Sequence, residues 1–315
     1  MKELLRNKYF IGYSALYILT LVLMALIEDF PVSQSIAVLL IIGVFFTFIA
    51  HLATKSSKPL IKSKPIQANE LSIIVGFLVY ITLMLSFGFD SIKTFLFQFV
   101  VKTSRSEELI SLSYKLIFFV FIPFVVYKLL YKFNLRDFGL DVKLKEFFTR
   151  KNIIILLSMF AVLFAFQFFL GNGASPIRNG LISNRQLYIG LPLLYIWLIV
   201  EVGLVEEFFF RGLIQSRLAV LTRSDLGGIF LSGLFFGLAH APGLYLRGSG
   251  ALDNLGVNPS LFASVGYSIL VLSVAGFFLA TIWSRTKNLW LVITIHAFVD
   301  LLPGLAEFVN TWNIN

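Results

Sequence analysis

Apolar stretches of nearly twenty residues recur along the chain, separated by short segments that carry most of the basic residues. A helix needs about 20 apolar residues to cross the hydrocarbon core of a bilayer. The pattern therefore predicts nine spans: Tyr9 to Ile27, Ser35 to Ala53, Leu71 to Phe89, Leu109 to Tyr127, Ile153 to Leu170, Tyr188 to Ile214, Gly228 to Tyr245, Phe262 to Trp283 and Leu289 to Val309. The fourth carries Lys115 and Pro123, and the run Ile92 to Val101 reads equally well as an interfacial helix, so eight spans fit almost as well. The fold class is all-α, a polytopic helical bundle in the membrane.

Composition agrees: the 315 residues are 58% hydrophobic and 14% charged, and the mean hydropathy is +0.87. The net charge of +9 is unevenly placed. With the amino terminus inside, eighteen of the 26 basic residues fall in inner segments and six in outer ones, a bias that sets the amino end in the cytoplasm and the carboxyl end outside. Anionic lipid head groups account for these juxtamembrane clusters, and nucleic-acid binding is not expected. The basic start followed by an apolar run up to Ile27 resembles a signal peptide, but no small-x-small site precedes Glu28 and Asp29, so it reads as a retained span. With no cysteine, disulfides, thiolate metal ligands and cysteine nucleophiles are excluded.

The texture changes once. Residues 1–150 alternate spans with basic loops and place almost no polar group inside a span, whereas the spans from Tyr188 onward carry nearly all the intramembrane Glu, His and Asp. This divides the chain into an accessory part, 1–150, and a functional part, 151–315. The segment Tyr131 to Lys151 interleaves charges with Phe133, Leu135, Phe138, Leu140, Leu144, Phe147 and Phe148, and reads as a cytoplasmic connector with an amphipathic part on the membrane surface.

Chemistry concentrates in three places. Glu206, Glu207 and Arg211 lie inside the sixth span, where each ionisable group costs a few kcal/mol. His240 closes Phe236-Gly-Leu-Ala-His240 and His296 opens His296-Ala-Phe-Val-Asp300; each pair of ends is four residues apart and shares a helix face. At 1.5 Å per residue, Glu206 lies roughly 12 Å, His296 roughly 10 Å and His240 roughly 18 Å from the cytoplasmic ends of their spans, with Asp300 about 6 Å beyond His296. Groups at such similar depth can meet. A carboxylate beside imidazoles in a low-dielectric site can take a proton from water, and a second polar pair can stabilise the oxyanion formed when that water attacks a peptide carbonyl. Glu207 and Arg211, at i and i+4, can neutralise each other and orient the helix.

Glu206-Glu207-x-x-x-Arg211, Phe236-x-x-x-His240 and His296-x-x-x-Asp300, in that order, resemble the motifs of the CPBP intramembrane peptidase family, which includes type 2 CAAX prenyl proteases, abortive-infection proteins and bacteriocin self-immunity proteins. The resemblance covers Leu187 to Leu305. It implies an intramembrane endopeptidase with a cytosol-facing cavity among its helices, acting on a membrane-associated and sometimes lipidated protein or peptide. It further implies Glu206 as the base that activates water, His240 as its assistant, His296 with position 300 as oxyanion support, and Glu207 with Arg211 as orienting groups. The prenyl-protease members have Asn where this chain has Asp300, an option that resembles the bacterial branch. An ionised Asp cannot donate to an oxyanion, so Asp300 is either protonated or orients His296. His240, His296 and one glutamate would make a zinc triad with an open position. The resemblance favours glutamate-activated water without metal, and the metal requirement stays open.

Plainer readings exist for each feature. The acidic pair with Arg211 can be the end of a span with a snorkelling arginine, His240 a packing histidine, and His296 with Asp300 a structural pair. His51 reads as interfacial, and Glu201 as a cavity-lining or hydrogen-bonded group. Gly233-x-x-x-Gly237 predicts a close helix contact, and Leu246 to Pro259 a loop. Two other functions compete with the peptidase: a catalytically idle immunity or scaffold protein, and a proton-coupled transporter, against which the absence of an internal repeat argues. Low Cys with high Phe, Ile and Lys suits the plasma membrane of a bacterium.

Overall fold

The computed structural model describes residues 2–248 and 255–314. Among them there is no strand, and eight helices are long and apolar enough to cross a membrane: α1 Lys8–Ile27, α2 Val32–Ala53, α3 Glu70–Leu96, α4 Ser104–Tyr131, α5 Arg150–Leu170, α6 Asn184–Thr222, α7 Asp225–Arg247 and α8 Leu261–Thr286. The protein is a multi-pass helical membrane protein. Two shorter helices follow, α9 Leu289–Val299 and α10 Leu305–Thr311.

Several expected elements need correction. The ninth span is not continuous. At 1.5 Å per residue the 11 residues of α9 reach only about 16 Å, roughly half a hydrocarbon core of about 30 Å. Turns over 300–304 separate it from α10. Pro303 lacks the amide that would continue the helix, and its ring lies against Gly173, where a Cβ would come within 2.9 Å. The third span does not stop at Phe89 but runs on to Leu96, taking in the start of the stretch offered as an interfacial helix. α7 is helical over Asp225–Leu238 and again over Ala241–Arg247, with a turn at 239–240 and Pro242 in the first turn of the second piece. The loop expected over Leu246 to Pro259 begins two residues later, and its part at 249–254 lies outside the described residues.

The connector is also only partly as expected. Its amphipathic helix is one turn, Leu144–Phe147, and Phe133 and Phe138 turn inward rather than towards lipid. The Phe138 ring lies tilted against Phe208 at 4.8 Å, and Phe133 lies 5.2 Å from Tyr127. The same segment caps α9: the Gly139 carbonyl accepts from Leu289 N–H at 3.1 Å, and the Leu140 carbonyl accepts from Trp290 Nε1 at 2.9 Å.

The chain forms two compact units, and both draw on the early and the late sequence. The first comprises Met1–Leu52, Lys58–Phe89 and Phe210–Lys287; the second comprises Ala53–Ser57, Asp90–Phe209 and Asn288–Asn315. The boundary falls within α6, between Phe209 and Phe210. In the first unit α8 is buried along most of its length, with Tyr13, Tyr17 and Met24 of α1 and Ile229 of α7 packed into the cluster it anchors. Gly233 and Gly237 allow this: a Cβ at Gly233 would lie 2.6 Å from the Phe277 ring, and one at Gly237 would strike the Ser268 carbonyl. In the second unit Leu194 and Leu198 of α6 pack with Ala297, Leu301, Leu305 and Val309.

Candidate active site

In the second unit a close crossing of α6 and α9 comes first. A Cβ on Gly203 would lie 2.7 Å from the Ile293 carbonyl oxygen, so only glycine permits this approach. The two segments are antiparallel: Leu194 packs on Gly304 while Gly203, further along α6, packs on Ile293, earlier in the chain. Glu207 lies four residues past the crossing on α6, and His296 three past it on α9. They are thus on opposite sides of it. Because helical side chains lean towards the amino end of their own helix, these two lean back towards each other and meet across the contact.

They meet at hydrogen-bond distance: His296 Nδ1 lies 2.6 Å from Glu207 Oε1. An ionised carboxylate can only accept, so a Glu207 carboxylate takes its hydrogen bond from Nδ1–H, and Nε2 faces the other way. Nε2 faces two more carboxylates, Glu206 Oε2 at 4.0 Å and Asp300 Oδ2 at 3.8 Å. Accessibility rises in the same direction. The Glu207 side chain is 0% exposed and His296 7%, whereas Glu206 is 20% and Asp300 40% exposed. One imidazole therefore bridges a dry carboxylate behind it and two more accessible ones in front.

The helix that presents the glutamates is locally irregular. Wide turns with i→i+5 bonding at Ile199–Leu204 and Phe208–Gln215 flank the short α stretch Val205–Glu207. Such turns rotate the side chains that follow them, and they often mark functional positions.

Residues 188–302 match the family model described as Rce1-like: Type II CAAX prenyl endopeptidase Rce1-like. This segment is similar to type II CAAX prenyl endopeptidases. The match spans well under half the chain but takes in all six motif residues, Glu206, Glu207, Arg211, His240, His296 and Asp300. No curated protein and no solved structure matches the chain. At the level of the family, the activity is that of an intramembrane CAAX endopeptidase.

Four of those six residues come together in the second unit. The other two, Arg211 and His240, are in the first unit, and Phe236 joins them there: the Arg211 guanidinium lies 4.3 Å from the centre of its ring, and the His240 ring meets it edge-on at 5.0 Å. The aromatic member of Phe236-x-x-x-His240 is thus the platform on which both polar groups rest. His240 also places Nδ1 2.8 Å from the Phe236 carbonyl. A carbonyl only accepts, so Nδ1 carries a proton.

Sequence reasoning missed the polar seam that fixes Arg211. The Gly276 carbonyl accepts from Arg211 at 3.3 Å, the Ala280 carbonyl accepts from Gln215 at 2.8 Å, and Ser216 Oγ accepts from Trp283 Nε1 at 3.1 Å. These three contacts, at 211, 215 and 216 on α6 and at 276, 280 and 283 on α8, lock the end of α6 to α8 in one register. Arg217 is another correction. It counts among the basic residues of the inner segments, yet it is 1% exposed. It is clamped to Glu70 at 2.5 and 3.0 Å and to the Lys64 and Pro65 carbonyls at 2.8 and 3.1 Å. Glu201 pairs with Lys115 of α4, so two intramembrane charges that look unmatched in the sequence answer each other. His51 is exposed.

Two histidines and a carboxylate would suit zinc. Among the described residues, however, no group of three or more His, Cys, Asp or Glu side chains could hold a metal ion.

Proposed function

We propose that this protein is an intramembrane endopeptidase that hydrolyses a peptide bond in a membrane-associated protein or peptide by glutamate-activated water. The observation that carries the reading is Glu206 standing 4.0 Å from an imidazole whose far side is fixed by a fully buried carboxylate, within a segment similar to type II CAAX prenyl endopeptidases. A gap of 4.0 Å between two polar groups suits one water between them. Glu206 takes a proton from that water as its oxygen attacks the scissile carbonyl carbon. Glu206 then returns the proton to the leaving nitrogen as the C–N bond breaks, giving a carboxylic acid and an amine.

His296, held as an imidazolium, donates from both nitrogens: Nδ1 to Glu207, and Nε2 to the oxyanion as charge develops there. Glu207 is then an orienting residue for His296, and Asp300 a second acceptor on the same ring. From the family pattern come His240 as assistant to the base and Arg211 as an orienting group. In this reading residues 1–150 are accessory, the amino terminus is cytoplasmic, the cavity opens to the cytosol, and the host membrane is the plasma membrane of a bacterium.

The test is cleavage of a fluorogenic peptide panel, prenylated and unprenylated, by wild type, Glu206→Ala and His240→Ala, each with and without a chelator. Loss of cleavage in both variants supports the proposal, and chelator resistance supports water activation without metal. Cleavage that survives Glu206→Ala overturns the mechanism and favours a scaffold or immunity role.

A further inference from the structure

The basic end of the first unit holds a polar cavity of about 260 Å³, bounded by Ser63, Arg223, Ser224, Asp225 and Lys287. It lies where α6 ends, α7 begins and α8 ends, and none of the motif residues takes part in it. Its volume is below the ~300–1,000 Å³ of sites for drug-sized ligands, which suits a compact polar group rather than a peptide.

Lys287 is the unusual wall. It is 6% exposed, and lysine is almost never so buried without a counter-charge. Its ammonium lies 5.0 Å from the centre of the Trp283 ring, and among the described residues no carbonyl or carboxylate accepts a hydrogen bond from it. Asp225 is close enough to act on it electrostatically but forms no ion pair with it. The neighbouring Arg217 offers nothing further, since Glu70 already neutralises it. Arg223 adds a second cation to the walls, against the single carboxylate of Asp225.

The amino-terminal end of α7 is a second, separate feature of the cavity. Ser224 caps it, accepting from Gly227 N–H at 3.1 Å, and the 14-residue helix behind it directs its positive end and free amides to the same place. A buried ammonium without an acceptor, an exposed guanidinium, two hydroxyls and a helix amino terminus together make an anion site.

We infer that this cavity binds a phosphate group, as carried by a phospholipid head group or as free phosphate. Lys287 and Arg223 supply the charge, and Ser63 with the first turn of α7 supplies neutral donors. The place suits a lipid source, because the cavity opens at the end of the spans where the basic segments gather. Burial, with Arg217 adding to it and Asp225 opposing it, lowers the Lys287 pKa to about 8. The residue is therefore still protonated at neutral pH and loses its charge just above.

The test uses the full chain purified in detergent and native mass spectrometry, with thermal unfolding alongside. The probes are inorganic phosphate and a short-chain phosphatidylglycerol. Wild type should bind one equivalent of at least one probe and melt higher in its presence. Lys287→Met and Arg223→Gln should each weaken that binding at least tenfold, and Lys287→Met, relieved of a buried charge, should melt no lower than wild type without ligand. Phosphatidylglycerol binding with no response to phosphate assigns a lipid head group, and equal affinity for both assigns free phosphate. Absence of binding by both probes, or equal binding by wild type and both variants, overturns the inference. Should Lys287→Met fail to fold, the exposed Arg223→Gln decides alone.

Discussion

Glu207→Gln is the sharpest test of how the candidate active site is wired. The substitution keeps the volume of a side chain that is 0% exposed and removes only the charge facing His296 Nδ1 at 2.6 Å. A hydrogen bond to a charged group contributes about 1.5–3 kcal/mol. If that stabilisation is greatest when His296 is an imidazolium in the transition state, its loss lowers kcat/KM by roughly ten- to 150-fold, at about 1.36 kcal/mol per decade. The loss should fall on kcat with KM nearly unchanged, because the interaction strengthens only as the oxyanion forms. The assay is cleavage of a fluorogenic peptide in detergent, with rates normalised to folded protein by size exclusion. Gln also shifts the pH at which His296 loses its proton, so the kcat profile should move on its alkaline side. A merely structural Glu207 would lower the amount of folded enzyme and leave the normalised profile in place. Wild-type kcat/KM and an unmoved profile in Glu207→Gln would refute the proposed wiring.

Three further outcomes are expected. Gly203→Val puts a Cβ where the Ile293 carbonyl oxygen stands 2.7 Å away, and a backbone atom cannot swing aside. Thermal unfolding should report a loss of about 1–3 kcal/mol, and activity should fall further, since a 1 Å misplacement of reacting groups costs about 10²-fold. Glu70→Gln or Arg217→Met alone leaves an uncompensated buried charge and should cost about 3–5 kcal/mol, while the double replacement by apolar residues recovers most of it in the same melts. Lys287 gives a pH dependence: its folded pKa of about 8 lies below the ordinary 10.5, so the unfolded chain binds more protons between these values. Its penalty is full below about pH 8 and is relieved as pH rises towards 10.5, so wild-type stability should climb across that window relative to Lys287→Met.

The spans and the motif residues were legible because each carries its own local signal. An apolar run of twenty residues has one common explanation, and a glutamate pair inside such a run is conspicuous whatever surrounds it. Partners were less legible. The i, i+4 rule offers Arg211 for Glu207, whereas the partner found across helices, His296, is 89 residues away and is reached only because two antiparallel helices cross at Gly203. No periodicity encodes that crossing; a lone glycine one turn before the glutamates was the available sign. Arg217 looked like a loop charge because its partner Glu70 stands at the other end of a long sequence interval. The ninth span was misread for a different reason. Its apolar run continues through Leu301 and Leu302, and hydropathy averages over Pro303, which breaks the helix there.

Position 300 illustrates what the wiring explains. An asparagine there can donate to an oxyanion, and an ionised aspartate cannot. Under the proposed mechanism the loss need not be made good by protonating Asp300, because an imidazolium at His296 offers a donor at Nε2, 3.8 Å from Asp300, while its other nitrogen lies 2.6 Å from Glu207. A carboxylate at 300, with its side chain 40% exposed, keeps much of its hydration and avoids the desolvation cost that full burial of a third acid would carry. It can then act on the ring from the accessible side while Glu207 acts from the dry side. On that account Asp300 and Glu207 hold one imidazole between them, and the donor to the developing oxyanion belongs to the histidine. In the proposed mechanism the departure from asparagine moves the donating role from position 300 to His296, four residues earlier in the same motif, and leaves Glu206 as the proposed water-activating base.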